Sequence, residues 1–304
     1  MVRKLLKYFA FFLLALVGIM SIIYGSLATS KGKPAAEFTF FRALKTNPLV
    51  IAHRGGGGLA PENTLAAFER AASIGVDVIE IDVQSTSDGE LVVLHDAAVD
   101  RTTDGSGLIN SLTLEQVKKL DAGFSWTQDG GQTFPFRAGG VTIPTLREVF
   151  KAFPNLRFNI EPKHQTPSLI KPLCAILREF SMTDKVVIAS FNQTILDEFR
   201  ANCSEVATSA SPSEVSKFLA LYKTGVSQAY SPSMQALQVP EYAGVQILSK
   251  GFVEAAHERN LKVHVWTVNE ATDMQRMLDM GVDGIMTDYP DRLLNLLKRP
   301  ANIE

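Results

Sequence analysis

Two cysteines stand in 304 residues, Cys174 and Cys203, and neither lies in a CxxC pair or a Cys/His cluster. A disulfide framework and a structural zinc site are therefore not expected. Two buried thiols are the favoured reading, and a single bridge remains open for a domain in an oxidising compartment. Basic charge is not in surplus either. The formal net charge is −2, and no basic stripe is interleaved with aromatics. No field draws in nucleic acid, so no nucleic-acid partner is expected. No GxGxxG run opens a helix and no GxxxxGK[ST] occurs, so the usual nucleotide-fold fingerprints are missing.

Charge is scarcest near the N-terminus. Arg3, Lys4 and Lys7 precede 23 uncharged positions, residues 8–30, before Lys31. A helix of that length rises ~34 Å at ~1.5 Å per residue, enough to cross a bilayer's hydrocarbon core. Tyr8 and Tyr24 sit where interfacial aromatics are expected. The competing reading is a cleaved signal sequence ending at Ser26-Leu27-Ala28. The run exceeds the ~7–15 residues of a signal core, which favours an uncleaved single-pass anchor over residues 1–30. Basic residues on both flanks give a slight preference for an extracytoplasmic catalytic domain. Residues 31–47 read as a linker.

What is present from Pro48 onward is alternation. Candidate strands at 49–53, 77–83, 91–95, 157–163, 185–190, 205–210, 262–268 and 283–288 are separated by amphipathic, Ala/Leu-rich segments. A further candidate at 234–239 is weaker. This rhythm argues a parallel sheet with helices outside. Eight such units in some 250 residues fit a (β/α)₈ TIM barrel over 48–298. Residues 96–143 break the rhythm and read as an insertion over the barrel mouth. Phe124, Trp126, Phe134 and Phe136 argue against disorder there.

The chemistry gathers at strand ends. In "DVIEIDV" the period of two puts Glu80 and Asp82 on one face, with Ile79, Ile81 and Val83 on the other. If the isoleucines face the helices, both acids point into the barrel near its C-terminal mouth, where barrel active sites form. The alternative is a solvated edge with the isoleucines inward. In "NIEPK", Glu161 and Lys163 share a face in the same way. Three converging carboxylates suit a hard divalent ion, Mg²⁺ or Ca²⁺, since Lys163 offsets only part of their charge. His53 and His95 close two strands and suit acid/base work near neutral pH. Arg54 offers a planar fork for phosphate. Trp266 offers an indole face at another strand end. His264 reads as interior packing and His257 as solvated. His164 has no register that fixes it inward.

The stretches "AHRGGGGLAPENT", "EIDVQSTSDGELVVLHD", "NIEPK", "HVWTVN" and "DGIMTDYP" together resemble the glycerophosphodiester phosphodiesterase family, over nearly everything from Val50 to Leu297. The resemblance implies a TIM barrel with a small insertion after the second strand. It implies His53 and His95 as general acid and base, and Glu80, Asp82 and Glu161 as ligands of a divalent metal. Arg54 and Lys163 would bind the phosphate, and Trp266 would line the glycerol pocket. The implied reaction is metal-dependent hydrolysis of a glycerophosphodiester to glycerol 3-phosphate and an alcohol. The neighbouring expectation is a lysophospholipase D acting on membrane lysophospholipids, with the mouth facing the bilayer. An aldolase- or enolase-type barrel and a silent phosphodiester-binding module fit less well, because both histidines and all three acids are present. Four consecutive glycines, Gly55–Gly58, exceed the pair usual in the family, and Asn63 is the expected N-cap of the first helix.

Overall fold

A computed structural model describes residues 2–164 and 168–299. Nine strands are present among them: β1 Leu49–Ala52, β2 Val78–Ser85, β3 Leu91–Val93, β4 Phe158–Pro162, β5 Val186–Ile188, β6 Ala207–Thr208, β7 Ala236–Val239, β8 Lys262–Val265 and β9 Gly284–Thr287. All but β3 run parallel, in the order β6-β5-β4-β2-β1-β9-β8-β7. A parallel bridge between Ser209 and Ala236 brings the two ends together, so the sheet is a nearly closed barrel. The expected TIM barrel is the observed fold.

Two strand assignments differ from the sequence reading. The run 91–95 is not a stave; β3 folds back antiparallel on β2, pairing Val93 with Val83 and Leu91 with Ser85. The turn between them, with Gly89 at φ +86°, is far too short for a parallel crossover. The weaker candidate at 234–239 supplies the eighth stave as β7. Its polar Gln238 obscured the pattern because it faces the barrel interior, where its amide meets His264 Nδ1 at 3.3 Å.

Between staves the chain makes amphipathic helices whose starts are written in the sequence. Thr145/Glu148 and Ser211/Glu214 form reciprocal capping boxes, and Pro212 occupies the first turn of its helix. At the first helix, Leu65–Ile74, Thr64 is the cap, not Asn63: its hydroxyl accepts from Ala67 N–H. Asn63 is used elsewhere, as described below. Outward staves such as Val50, Ile79, Ile81 and Ile160 join the helices in one large apolar core. Inward Leu49, Ile51, Val78, Val187, Ala207 and Met286 form a second cluster inside the barrel. This partition settles the face of β2: the isoleucines meet the helices and the acids face inward.

Cys174 and Cys203 are bridged, with Cα atoms 6.1 Å apart. The reading as two free thiols fails because helix Ile170–Glu179 and the C-cap of helix Gln193–Asn202 bring them face to face.

The N-terminal helix spans Val2–Thr29, and its segment Lys4–Thr29 is long and apolar enough to cross a membrane. The chain after it lies across the N-terminal ends of the staves. Ala35 N–H donates to Arg259 O at 2.8 Å, and Thr46 Oγ1 donates to Asp77 at 2.7 Å. A four-residue helix, Thr39–Arg42, drives Phe40 into the barrel floor beside Leu49 and Val78, with Phe41 edge-on to it at 4.9 Å.

Candidate active site

Stave register assembles the acids. Asp82 pairs across the sheet with Glu161, and Glu80 lies one pleat below on the same face. Glu80, Asp82 and Glu161 each offer an oxygen, all within 4.8 Å of one another. Glu80 and Asp82 are buried and Glu161 is partly exposed to the cavity. Burial, reinforced by the neighbouring Asp82 charge, pushes the Glu80 carboxyl up to about 8. Burial also raises Glu161, and Lys163 only partly opposes it. Lys163 Nζ bridges Asp82 at 2.8 Å and Glu161 at 2.9 Å. One ammonium among three carboxylates leaves an excess of anionic oxygen in a buried site. That donor set fits a hard divalent cation.

Opposite the acids, β1 ends in a tight turn. Arg54 adopts φ +51°, a costly conformation for a side-chain-bearing residue. Two hydrogen bonds hold it: Arg54 N–H donates to Glu80 at 2.8 Å, and Arg54 O accepts from Asn63 N–H at 2.9 Å. Asn63 also donates its amide to Asp82 Oδ2 at 2.9 Å. The Arg54 guanidinium pairs with Glu62 at 2.8 Å and stands 3.5 Å from Asp82.

Both histidines reach the same cavity, and each Nδ1 meets an aspartate. His53 Nδ1 lies 2.7 Å from Asp288, and His95 Nδ1 lies 2.6 Å from Asp96. A carboxylate can only accept, so each Nδ1 carries its proton there and each Nε2 is left for chemistry in the cavity. Burial would lower the His53 pKa, but the Asp288 hydrogen bond and the Glu80 charge outweigh it and raise the value above 6.5. Asp288 is itself held by Asn269 Nδ2 at 2.7 Å. Asp96 accepts from Arg101 Nε at 2.6 Å, and Arg101 holds the Asp96 carboxyl down to about 2. Arg101 then grips Glu62 with two bonds of 2.8 Å. A continuous charged chain thus runs from His95 through Asp96, Arg101 and Glu62 to Arg54.

The cavity, about 420 Å³, has two characters. His53, Arg54, Glu80, Asp82, His95, Glu161 and Lys163 line one side. Trp266, Phe191, Leu219, Val245 and Ile247 line the other. Trp266 stacks edge-on against Phe191 at 5.6 Å. All eight residues singled out from the sequence therefore line one cavity. His264 is buried in the barrel interior, its pKa lowered to about 4 by burial, as expected of a packing residue. His257 is less free than expected: its Nε2 pairs with Asp283 at 2.6 Å. His164 Nε2 sits 3.3 Å from Ser85 N.

The insertion docks on the glycine turn. Trp126 Nε1 donates to Gly57 O at 2.9 Å and Gln128 Nε2 to Gly58 O at 3.0 Å. Arg137 stacks between Phe124 and Phe134, at 4.2 and 3.7 Å from the ring centroids. Among the described residues, none of 96–143 lines this cavity, although Asp96 holds His95, which does, and Arg101 holds Asp96; the insertion frames a second cavity of about 660 Å³ with Glu62, Tyr289 and Arg292. Sequence reasoning missed Glu62, Asp96, Arg101, Asn269 and Asp288. Their signal was adjacency: Asp96 follows His95, and Glu62 and Asp288 lie inside the stretches "PENT" and "TDYP".

Residues 53–292 match the model of the glycerophosphoryl diester phosphodiesterase family. The chain is 38% identical to a glycerophosphodiester phosphodiesterase of Caldanaerobacter subterraneus, covering 83% of this chain and 98% of that protein. It is 29% identical to the lysophospholipase D GDPD1 of Mus musculus, covering 81% and 85%. The structure of an Oleispira antarctica phosphodiesterase in complex with the product sn-glycerol-3-phosphate is similar at a TM-score of 0.67. There the identity is 28%, covering 86% of this chain and all of that one.

Proposed function

The chain belongs to the glycerophosphoryl diester phosphodiesterase family and is a phosphoric diester hydrolase, and from that premise we propose that it cleaves glycerophosphodiesters to glycerol 3-phosphate and an alcohol, with His53 and His95 exchanging the protons. The observation that carries this reading is the pair of carboxylate-held imidazoles on the rim of the cavity that holds Glu80, Asp82 and Glu161. Hydrolysis of a diester needs a proton removed from the nucleophile and one given to the leaving alkoxide. Two histidines with Nδ1 fixed and Nε2 available can do both. The Asp288 hydrogen bond and the Glu80 charge, outweighing burial, favour the protonated form of His53 and suit it to the donor role.

Glu80, Asp82 and Glu161 would hold a divalent metal, which supplies Lewis-acid polarisation of a phosphoryl oxygen. Lys163 and Arg54 add positive charge beside them, where the phosphoryl oxygens gain charge in the transition state. Arg54 is set by Glu62 and by its own backbone bond to Glu80. Trp266 would cover the glycerol moiety. The apolar wall formed by Phe191, Leu219, Val245 and Ile247 favours a second reading, in which the glycerol side of the diester carries a hydrocarbon chain, as in a lysophospholipid, and the headgroup alcohol leaves.

The test is hydrolysis of glycerophosphocholine and lysophosphatidylcholine by the purified protein, with and without Mg²⁺ or Ca²⁺. Divalent-dependent release of glycerol 3-phosphate and choline from the first substrate supports the proposal, and release of lysophosphatidic acid and choline from the second supports the second reading. Absence of turnover on both substrates with either ion overturns it.

A further inference from the structure

The geometry points to the barrel floor as the lipid-facing surface, so that the catalytic mouth opens away from the bilayer that anchors the chain. This rests on reading the N-terminal helix as a membrane anchor, and it decides which of the two substrate classes the site is placed to meet.

Three observations carry it. First, among the described residues the helix joins the body at the floor. Tyr24 Oη reaches Thr224 O at 3.4 Å, and Gln228 Nε2 reaches Ala28 O at 3.4 Å. Thr224 follows helix Pro212–Lys223, and Gln228 precedes β7, so both lie at the N-terminal ends of the staves. The apolar segment is otherwise unburied, so it leaves the barrel and does not climb its side. Second, residues 31–47 are stitched along that same end. Gly32 N–H donates to Gln228 O at 2.8 Å, Lys33 N–H to Ser231 Oγ at 3.1 Å, and Asn260 Nδ2 to Ala35 O at 2.9 Å. With Phe40 seated in the floor, this is a strap with little freedom to swing, not a loose linker. Third, the strap is basic on its free side. Lys31, Lys33, Arg42 and Lys45 are exposed, against a single exposed acid, Glu37. Each such residue near an anionic surface contributes about 1 kcal/mol of attraction.

Every catalytic side chain stands at the opposite pole, at the C-terminal ends of the staves. Asp82 lies four residues above Val78 along β2, about 13 Å farther from the floor at ~3.3 Å per residue. A lysophospholipid resting in the anchoring leaflet would have to leave it entirely to place its phosphate there. Withdrawing its chain costs about 0.8 kcal/mol per CH₂. A water-soluble glycerophosphodiester meets no such barrier. The site of the anchored enzyme is thus placed to take its substrate from the aqueous phase.

The full chain is reconstituted into phosphatidylglycerol/phosphatidylcholine vesicles, with a fluorophore on Ala43→Cys in the strap or Tyr242→Cys near the mouth, and headgroup spin-labelled lipid as quencher. Vesicle flotation is scored separately. The expected result is a floating protein quenched at position 43 and not at 242. Comparable quenching at 242, or floating protein quenched at neither position, overturns the inference. Protein that does not float overturns the anchor reading and the inference with it. In the activity arm, vesicle-bound enzyme should turn over glycerophosphocholine as the detergent-solubilised enzyme does. It should turn over lysophosphatidylcholine held in its own bilayer at least about tenfold more slowly than the same lipid in micelles. Equal rates on the lipid overturn the inference.

Discussion

Arg101, from the insertion, places two hydrogen bonds of 2.8 Å on Glu62, from the glycine turn, while its Nε holds Asp96 at 2.6 Å. One guanidinium therefore ties the partner of His95 to the partner of Arg54. Neither Arg101 nor Glu62 belongs to the Glu80, Asp82 and Glu161 cluster, yet each fixes a residue to which the proposed reaction gives a role.

Arg101→Ala should accordingly reduce kcat by roughly 10–100-fold, the usual cost of ~1 Å misplacement in a site, with a smaller change in KM. Arg101→Lys should recover little, because a single ammonium cannot span both carboxylates. Combining Arg101→Ala with Glu62→Gln should cost less than the two effects summed. Additive losses, or a change confined to KM, would show that the chain of charges does not position His95.

His53→Asn and His95→Ala should each fold, with circular dichroism like wild type, and each lose roughly 10²–10⁴-fold in turnover. Asp288→Asn removes the main contact that raises His53. The alkaline limb of the rate profile should then move to lower pH, since the imidazolium loses the partner that favours it. A limb that stays in place would detach His53 from the donor role.

Divalent binding should release protons. With Glu80 pushed up to about 8, the carboxyl is mostly protonated at pH 7 and must ionise to ligate. Calorimetry in buffers of different ionisation enthalpy should register about one proton released at pH 7 and almost none at pH 9. EDTA should abolish turnover, and Glu161→Gln should weaken the divalent-induced rise in melting temperature. Full activity in metal-free buffer would remove the metal from the reaction.

The four glycines should not be equivalent. A Cβ on Gly58 would lie 2.5 Å from the Tyr289 ring and one on Gly55 2.6 Å from Phe68, whereas one on Gly57 meets nothing closer than Glu62 Cβ at 3.4 Å. Gly58→Ala should cost about 1–3 kcal/mol in urea unfolding, the range for overpacking. Gly57→Ala should unfold like wild type. Equal losses at 57 and 58 would contradict the packing account.

Asp283 gives a pH-dependent stability remote from chemistry. His257 Nε2, Lys262 Nζ and Val263 N–H surround it, at 2.6, 3.0 and 2.9 Å, and hold its carboxyl down to about 2 despite burial. A folded pKa below the unfolded one stabilises above about pH 4 and is lost as pH falls toward 2. Asp283→Asn should cost roughly 2 kcal/mol at pH 7, and the gap to wild type should close on acidification through that window. A gap independent of pH would assign the loss to packing alone.

The barrel and its acids were legible because period-two patterning is local: Glu80 and Asp82 announce their face within one strand. Glu161 was legible for the same reason. What escaped was whatever depends on partners distant in sequence. Asp288 lies 235 positions from the histidine it holds, and Arg101 reaches Glu62 only because the insertion folds onto the glycine turn. The stave β7 was faint because an interior Gln satisfied by His264 looks, in sequence, like a surface residue. The bridging of Cys174 to Cys203 depends on two helices lying side by side, which no spacing rule encodes. The third and fourth glycines, excessive for a phosphate turn alone, are accounted for by their neighbours. Gly58 makes room for Tyr289, and the carbonyls of Gly57 and Gly58 receive the insertion's Trp126 and Gln128.

Phe40 stoppers the barrel beneath the acids. The cavity is therefore closed on the side of the floor, and substrate and products pass at the C-terminal ends of the staves. In the proposed reaction a diester enters there, and after cleavage two fragments leave the same way. The alcohol, held by no charge, is first in line, and the phosphate fragment, held by Arg54 and Lys163, leaves last. Accumulated glycerol phosphate would then compete directly with incoming substrate, so the enzyme would slow as its own product gathers outside.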